Sequence, residues 1–439
     1  MSRELPPSVN EITKLIKNLT EPQNPSVAII KKEAKKVQKE WALIGELQNF
    51  DYIPSPRKVV INGTGILLHT NLGRAPLGQK VLERLCQSLS GYVDLEIDLS
   101  TGERGHRTRY LDELASSFIP YYKTAWVNNC AGAVLLALNT LRKATKLDRI
   151  IISRGELVEI GGGFRVPDIM EEAGLKLIEV GTTNKTRLSD YKEALKKEPG
   201  IIGKIHPSNF SMEGFTESVA IEDLKTLAEK YEVPLFFDAG TMDSNELRRV
   251  PSGMSCITLS TDKTLGSTQG GLILAPQKIQ KKILKNPLYR ALRLDKISLI
   301  ALEVAFEAHA EKNERKVLPF AEMLNTPLDA LNLRAQEFLK IEFKNFRLEA
   351  APCAANIGGG AQGQDVPSVG IKIIPKENSK RSPIRIIDGL RQGSPIILAS
   401  VVHNYATINL LTVLPWQQEP LKEALRNLDT RMAHESPSN

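Results

Sequence analysis

Three features of the 439-residue chain predict an α/β protein built on a parallel-rich sheet, with a small helical unit before it and a smaller α+β unit after it. From Lys58 to about Asn313, short apolar runs alternate with amphipathic segments, the pattern of parallel strands joined by crossover helices. Pro54 and Pro56 interrupt the chain just ahead of that alternation. Beyond about Glu314 the pattern changes again, from a helical stretch to strand-like runs. The expected units are residues 1–57, 58–313 and 314–439.

In the first unit, Ser8 and Asn10 offer helix-capping side chains before Glu11-Ile12-Thr13-Lys14-Leu15-Ile16, and Pro22 and Pro25 separate that helix from a second one starting near Ser26. Lys31, Lys35 and Lys39 follow each other at i, i+4 and i+8, with Lys32 and Lys36 beside them, so all five share one broad face. By itself such a face reads as solvated surface. In the second unit the runs Arg149–Ser153, Leu175–Val180, Gly200–His206 and Val233–Asp238 read as strands, and Ala131–Ala144 and Ser218–Lys230 as helices. Ligands of such sheets sit beyond the carboxyl ends of the strands, and Arg154, Asp238 and Lys263 fall at or near such ends. The third unit carries the apolar runs Ser368–Ile374, Ile396–Leu398 and Ala406–Leu411, then a last helix from about Pro415.

A hydrophobic share of 41% and a charged share of 25% are those of an ordinary globular chain, not of a disordered or membrane one. Cys86, Cys130, Cys256 and Cys353 are widely spaced and form no CxxC pair, which argues against a disulfide framework and a zinc site. The first residues lack an apolar signal core, and no run approaches the roughly 20 apolar residues of a membrane span. A cytoplasmic protein without a metal is expected. The net charge of +7 permits a polyanionic partner and identifies none.

The chemistry concentrates at Ile257–Gly271, where Lys263 stands at the end of an apolar run with small residues and glycines behind it. Burial lowers the pKa of a lysine, and its neutral amine can then attack a carbonyl compound such as pyridoxal phosphate. Val233–Asp238 is a second apolar run, ending on a carboxylate able to keep a pyridinium nitrogen protonated. Asn128-Asn129-Cys130-Ala131-Gly132-Ala133 joins a strand end to an apolar helix, and the amides of a helix start favour an anion. Arg290 and Arg293, three apart and expected on one helical face, suit an oxyanion because each guanidinium binds bidentately.

These segments, together with Asn62–Ala75, Val127-Asn128-Asn129 and Ser153–Gly162, resemble bacterial selenocysteine synthase, the L-seryl-tRNA(Sec) selenium transferase family. The similarity runs from Leu5 to about Pro367 and then fades. It implies a fold type I pyridoxal-phosphate enzyme that converts L-seryl-tRNA(Sec) to L-selenocysteinyl-tRNA(Sec), with selenophosphate as selenium donor, by β-elimination through a dehydroalanyl-tRNA. It further implies that Lys263 carries the cofactor and acts as base, that Asp238 meets the ring nitrogen, and that Asn129, Cys130 and Ala131 hold the cofactor phosphate. Arg74, Asp262, Arg290 and Arg293 would surround the phosphate group of selenophosphate, and His206 and the Gly102–Arg107 motif also match family positions. The N-terminal unit would grip the tRNA, and the assembly would be a homo-oligomer, a ring of five dimers.

The chain departs from the family at several points. Thr261 replaces a common glycine, Cys130 and Gly132 stand where asparagine and alanine are usual, Ile119–Thr124 is unlike the family, and Asn409-Leu410-Leu411 replaces an Asp-Leu-Arg pattern. The alternative reading is a related lyase acting on a small phosphorylated amino acid or amino sugar without tRNA; the N-terminal unit and the Arg290 and Arg293 pair favour the transferase.

Overall fold

The computed structural model describes residues 8–20, 26–44, 56–160, 163–206, 212–358, 361–376 and 381–434. Pro22, Pro25, Pro54 and the tail beyond His434 lie outside them. The first helices are α1 (Val9–Thr20) and α2 (Val27–Ile44). In α2, Ile30, Ala34 and Val37 recur at helical spacing and are buried, with Val9 and Ile29 partly buried against them. Lys31, Lys32, Lys35 and Lys36 are exposed, and Lys36 reaches Glu33 at 3.6 Å.

Among the described residues the sheets are built from β1 Ile61–Gly63, β2 Ile66–Leu68, β3 Lys123–Val127, β4 Arg149–Ser153, β5 Glu159–Ile160, β6 Phe164–Arg165, β7 Lys176–Val180, β8 Ile201–Ile205, β9 Leu235–Gly240, β10 Cys256–Ser260, β11 Gly271–Ala275, β12 Phe346–Gly358, β13 Ala361–Pro375, β14 Ile397–Val402 and β15 Tyr405–Asn409. The larger sheet has the order β3-β11-β10-β9-β8-β4-β7. Only β11 runs against its neighbours, so the sheet is parallel-rich as its apolar runs predict. Both faces are covered. Trp126, Ile151 and Phe237 enter one core, while Val127, Ile152 and Phe236 enter the other, the period of two that an extended backbone imposes.

The second sheet has the order β1-β14-β15-β13-β12-β2 and its own core. β1 and β2 come from residues expected in the body of the large unit, yet they pair in parallel with β14 and β12. Their side chains explain this: Ile61, Leu67 and Leu68 are buried with Phe346, Ile371 and Ile408. The run expected to continue as strand to Leu411 stops at Asn409. Its side-chain oxygen accepts from Leu411 N at 3.1 Å and starts a 3-10 turn, and Leu411 is buried in the core. Asn409 also accepts from Ser368 and donates to the Ala354 carbonyl, so the two residues replacing the family's charged pair are structural. Among the described residues no helix is long and apolar enough to cross a membrane.

Candidate active site

β9 and β10 lie side by side, and Asp238 is in register with Thr258. β10 ends at Ser260 and the chain turns tightly, with Thr261 N donating to Gly270 O and Gly266 N to Lys263 O. This places Lys263, 8% exposed, at the carboxyl end of the sheet next to Asp238, 6% exposed. Both line a cavity of about 360 Å³, together with Arg74, Asn129, Cys130, Ala131, His206 and Gln269.

The helix starting beside this cavity is one of three further helices that matter here: α3 (Gln79–Leu89), α4 (Arg109–Ser116) and α5 (Cys130–Thr145). Asn129 caps α5, its side chain accepting from Gly132 N at 2.7 Å. The amides of Cys130 and Ala131, the first two of the helix, have no carbonyl behind them to bond and are donors for an anion. A side chain at Gly271 would collide with the Asn129 carbonyl, so only glycine lets β11 pass this close to the start of α5.

Burial is the largest influence on Lys263 and pushes its pKa down; the charge of Arg74 acts the same way, against Asp238 and Asp262. Burial also pushes the Asp238 carboxyl up, opposed by donation from Thr258 and by Lys263. Asp262 is held from two sides, by Arg74 at 2.5 Å and by the Ser260 hydroxyl at 2.6 Å. Arg74 follows Gly73 in the left-handed region, at φ +64°, a conformation costing a non-glycine residue about 1–2 kcal/mol. The Asp262 pair and the bond from Arg74 N to the His69 carbonyl hold it there. His206 donates its backbone N–H to the Asp238 carbonyl, and its buried Nδ1 has no partner among the described residues. Burial, the largest influence, lowers its pKa and so favours the neutral ring.

Not every residue picked out in the sequence is in the cavity. Arg290 and Arg293 do not share a helical face: the helix Pro287–Ala291 ends before Arg293, which bridges Val127 instead. Leu292 makes the difference, because its carbonyl accepts from Asn128 N at 2.8 Å and draws the chain out of helix. Arg290 is exposed, and Arg293 pairs with Glu96 at 3.0 Å. Arg154 is spent on Glu179 and the Gly181 carbonyl at the sheet's edge. Sequence reasoning missed Glu96, where Arg104, Arg107 and Arg293 converge; the only signal was the unpaired positive charge of Gly102–Arg107. It also missed Thr258, Ser260 and Gln269.

These residues fit pyridoxal phosphate: an amine that burial disposes to be neutral, a carboxylate facing the same space, a helix start for the phosphate, and an imidazole nitrogen without a partner among the described residues. The fold and site define a pyridoxal-phosphate enzyme of fold type I. The profile of the family described as L-seryl-tRNA selenium transferase matches residues 60–413. The chain is 38% identical over 394 residues to the L-seryl-tRNA(Sec) selenium transferase of Aquifex aeolicus, covering 84% of each, and 34% identical over 438 residues to that of Clostridium perfringens, covering 96% of this chain and 91% of the other. The chain belongs to the L-seryl-tRNA selenium transferase family and is a pyridoxal-phosphate-dependent enzyme. A solved D-glucosaminate-6-phosphate ammonia-lyase shares the fold, with a TM-score of 0.62 and 16% identity over 90% of this chain and 99% of the other.

Proposed function

We propose that this enzyme converts L-seryl-tRNA(Sec) to L-selenocysteinyl-tRNA(Sec) with selenophosphate, and that Lys263, Asp238, Asp262 and Arg74 do the work at the cavity. The observation that carries the reading is the burial of the Lys263 amine in the same cavity as the Asp238 carboxylate, beside the start of α5. Bound pyridoxal phosphate supplies an electron sink for the charge left on the serine α-carbon. Lys263, which burial disposes to the neutral form, would hold the cofactor through its amine and, when that amine is free, would accept the α-proton. Asp238 would keep the ring nitrogen protonated, and the Asn129, Cys130 and Ala131 segment would hold the phosphate at the helix start.

Arg74, oriented by Asp262, is set to meet the anionic selenium donor from the cavity wall. Arg290 and Arg293, which do not line the cavity, join it in holding the donor, Arg293 by exchanging its Glu96 contact for the donor. Residues 1–57 act as the tRNA-gripping unit, 58–313 as the cofactor-binding unit and 314–439 as the small unit, with β1 and β2 contributed to the last. The enzyme works in the cytoplasm as a homo-oligomer, a decamer of five dimers. Likeness to the ammonia-lyase is one of fold and gives no substrate. Purified protein should show the visible absorbance of bound pyridoxal phosphate and lose it on Lys263→Ala; an unchanged spectrum refutes the assignment of Lys263.

A further inference from the structure

We propose that Cys130 and Thr258 are positioning residues for Asp238, clamping one carboxylate oxygen so that the other is the one offered to the cofactor ring. This rests on the cofactor reading above. Three donors converge on Asp238 Oδ1: the Thr258 hydroxyl at 3.0 Å, the Gly240 amide at 3.3 Å and the Cys130 thiol at 3.7 Å. No donor among the described residues reaches Oδ2, and Asp238 lines the cavity. A carboxylate held through one oxygen by three donors cannot rotate without breaking them, so its free oxygen has a fixed direction.

The donors are well suited to the task. Thr258 is fully buried and sits opposite Asp238 in the strand register, so its hydroxyl is placed by the sheet itself. Burial pushes the Cys130 thiol well above its ordinary pKa, which keeps it protonated and therefore a donor. Cys130 also begins α5, so its amide lies at the phosphate end of the site while its thiol lies at the ring end. One residue thus ties the two holds on the cofactor together. All three donors favour the ionised carboxylate, against the burial that pushes its pKa up.

The test uses the full chain, stripped of cofactor and titrated with pyridoxal phosphate across a pH series, reading the visible absorbance. Cys130→Ala with Thr258→Val should weaken cofactor affinity about tenfold or more, the scale of losing hydrogen bonds to a charged group. The acid limb of binding should also move to higher pH, since a carboxylate with fewer donors is protonated more easily. Cys130→Ser should restore most of the loss seen in Cys130→Ala, because it returns a donor. Thr258→Ser, which keeps the hydroxyl, should bind as the unaltered protein does even where Thr258→Val destabilises the fold. Unchanged affinity and an unchanged acid limb in the folded double variant overturn the proposal. So does a loss that serine fails to restore at position 130, which marks a packing role. If the unaltered protein gives no visible band at all, the cofactor reading falls and takes this inference with it.

Discussion

Lys263 and the lysines of α2 carry the same ammonium group in opposite settings. Lys263 is 8% exposed in a cavity shared with Asp238 and Cys130, and burial pushes its pKa down. Lys31, Lys32 and Lys35 are exposed on the side of α2 opposite its buried stripe of Ile30, Ala34 and Val37. What differs is the work each proton state can do. An exposed lysine is a permanent cation that attracts phosphates at a distance, and a buried one is a nucleophile and base because its charge is removable.

Replacing lysine by arginine separates these roles, since arginine cannot lose its proton. Lys263→Arg should abolish the visible cofactor band and lower turnover by at least about 10³-fold, within the range for losing a positioned base. The same change at Lys31, Lys32 and Lys35 together should leave tRNA affinity within about twofold, because counterion release depends on charge and not on its carrier. A Lys263→Arg enzyme that keeps the band breaks the comparison.

Arg290 and Arg293, the proposed partners of the anionic donor, come next. Changing both to alanine should lower selenium transfer by about 10²-fold while the cofactor band stays intact, as expected when oxyanion donors are lost. Loss of the band with transfer surviving on reconstitution refutes their role. The α2 face itself gives a smaller effect. Lys31, Lys32 and Lys35 changed to glutamate should weaken tRNA binding strongly at low salt and less at high salt, each lost phosphate contact flattening the log-log slope by about 0.7–0.9. Deleting residues 1–57 should remove tRNA binding and spare the cofactor site; a truncated chain that binds tRNA normally contradicts the division of labour.

The smallest expected effect concerns Glu303, half-buried on the helix Lys296–Ala310 near Arg84, Glu307 and Asp94. Burial pushes its carboxyl up to about 7. Because the folded value is the higher one, its contribution to stability is complete below the ordinary glutamate pKa of 4.5 and lost as pH rises through about 7. Glu303→Gln should therefore raise the melting temperature at pH 8 and leave it unchanged or lower at pH 5. Equal shifts at both pH values count against this account.

The legible parts of the molecule are those with local causes. The apolar runs ending at Asp238 and just before Lys263 announce buried strands whose ends face a common space, and β9 and β10 are neighbours. The Asn129 cap and the helix after it are equally local. Arg290 and Arg293 misled because their spacing fits a helix, while the bond from Asn128 N to the Leu292 carbonyl, a tertiary event, ends it. Thr258 passes in the sequence for one more strand residue, since only the register shows that it faces Asp238. β1 and β2 are three residues each, too short for any periodicity to reveal.

Those two short strands also bear on how the chain is made. Thr64, between them, accepts a hydrogen bond from Ser400, 336 positions later, and Ile61 pairs with Ile397. A ribosome adding about 5–20 residues per second needs on the order of 20–70 s to bridge that gap. For most of that time the apolar side chains of Ile61, Leu67 and Leu68 have emerged without the strands that will cover them, β12 coming first and β14 last, while the larger sheet, complete by Ala275, can already have closed around its own two cores. The nascent chain therefore passes through a long stage in which a finished catalytic body trails an uncovered strand pair. During translation that pair is open to chaperones and to pairing with the wrong edge.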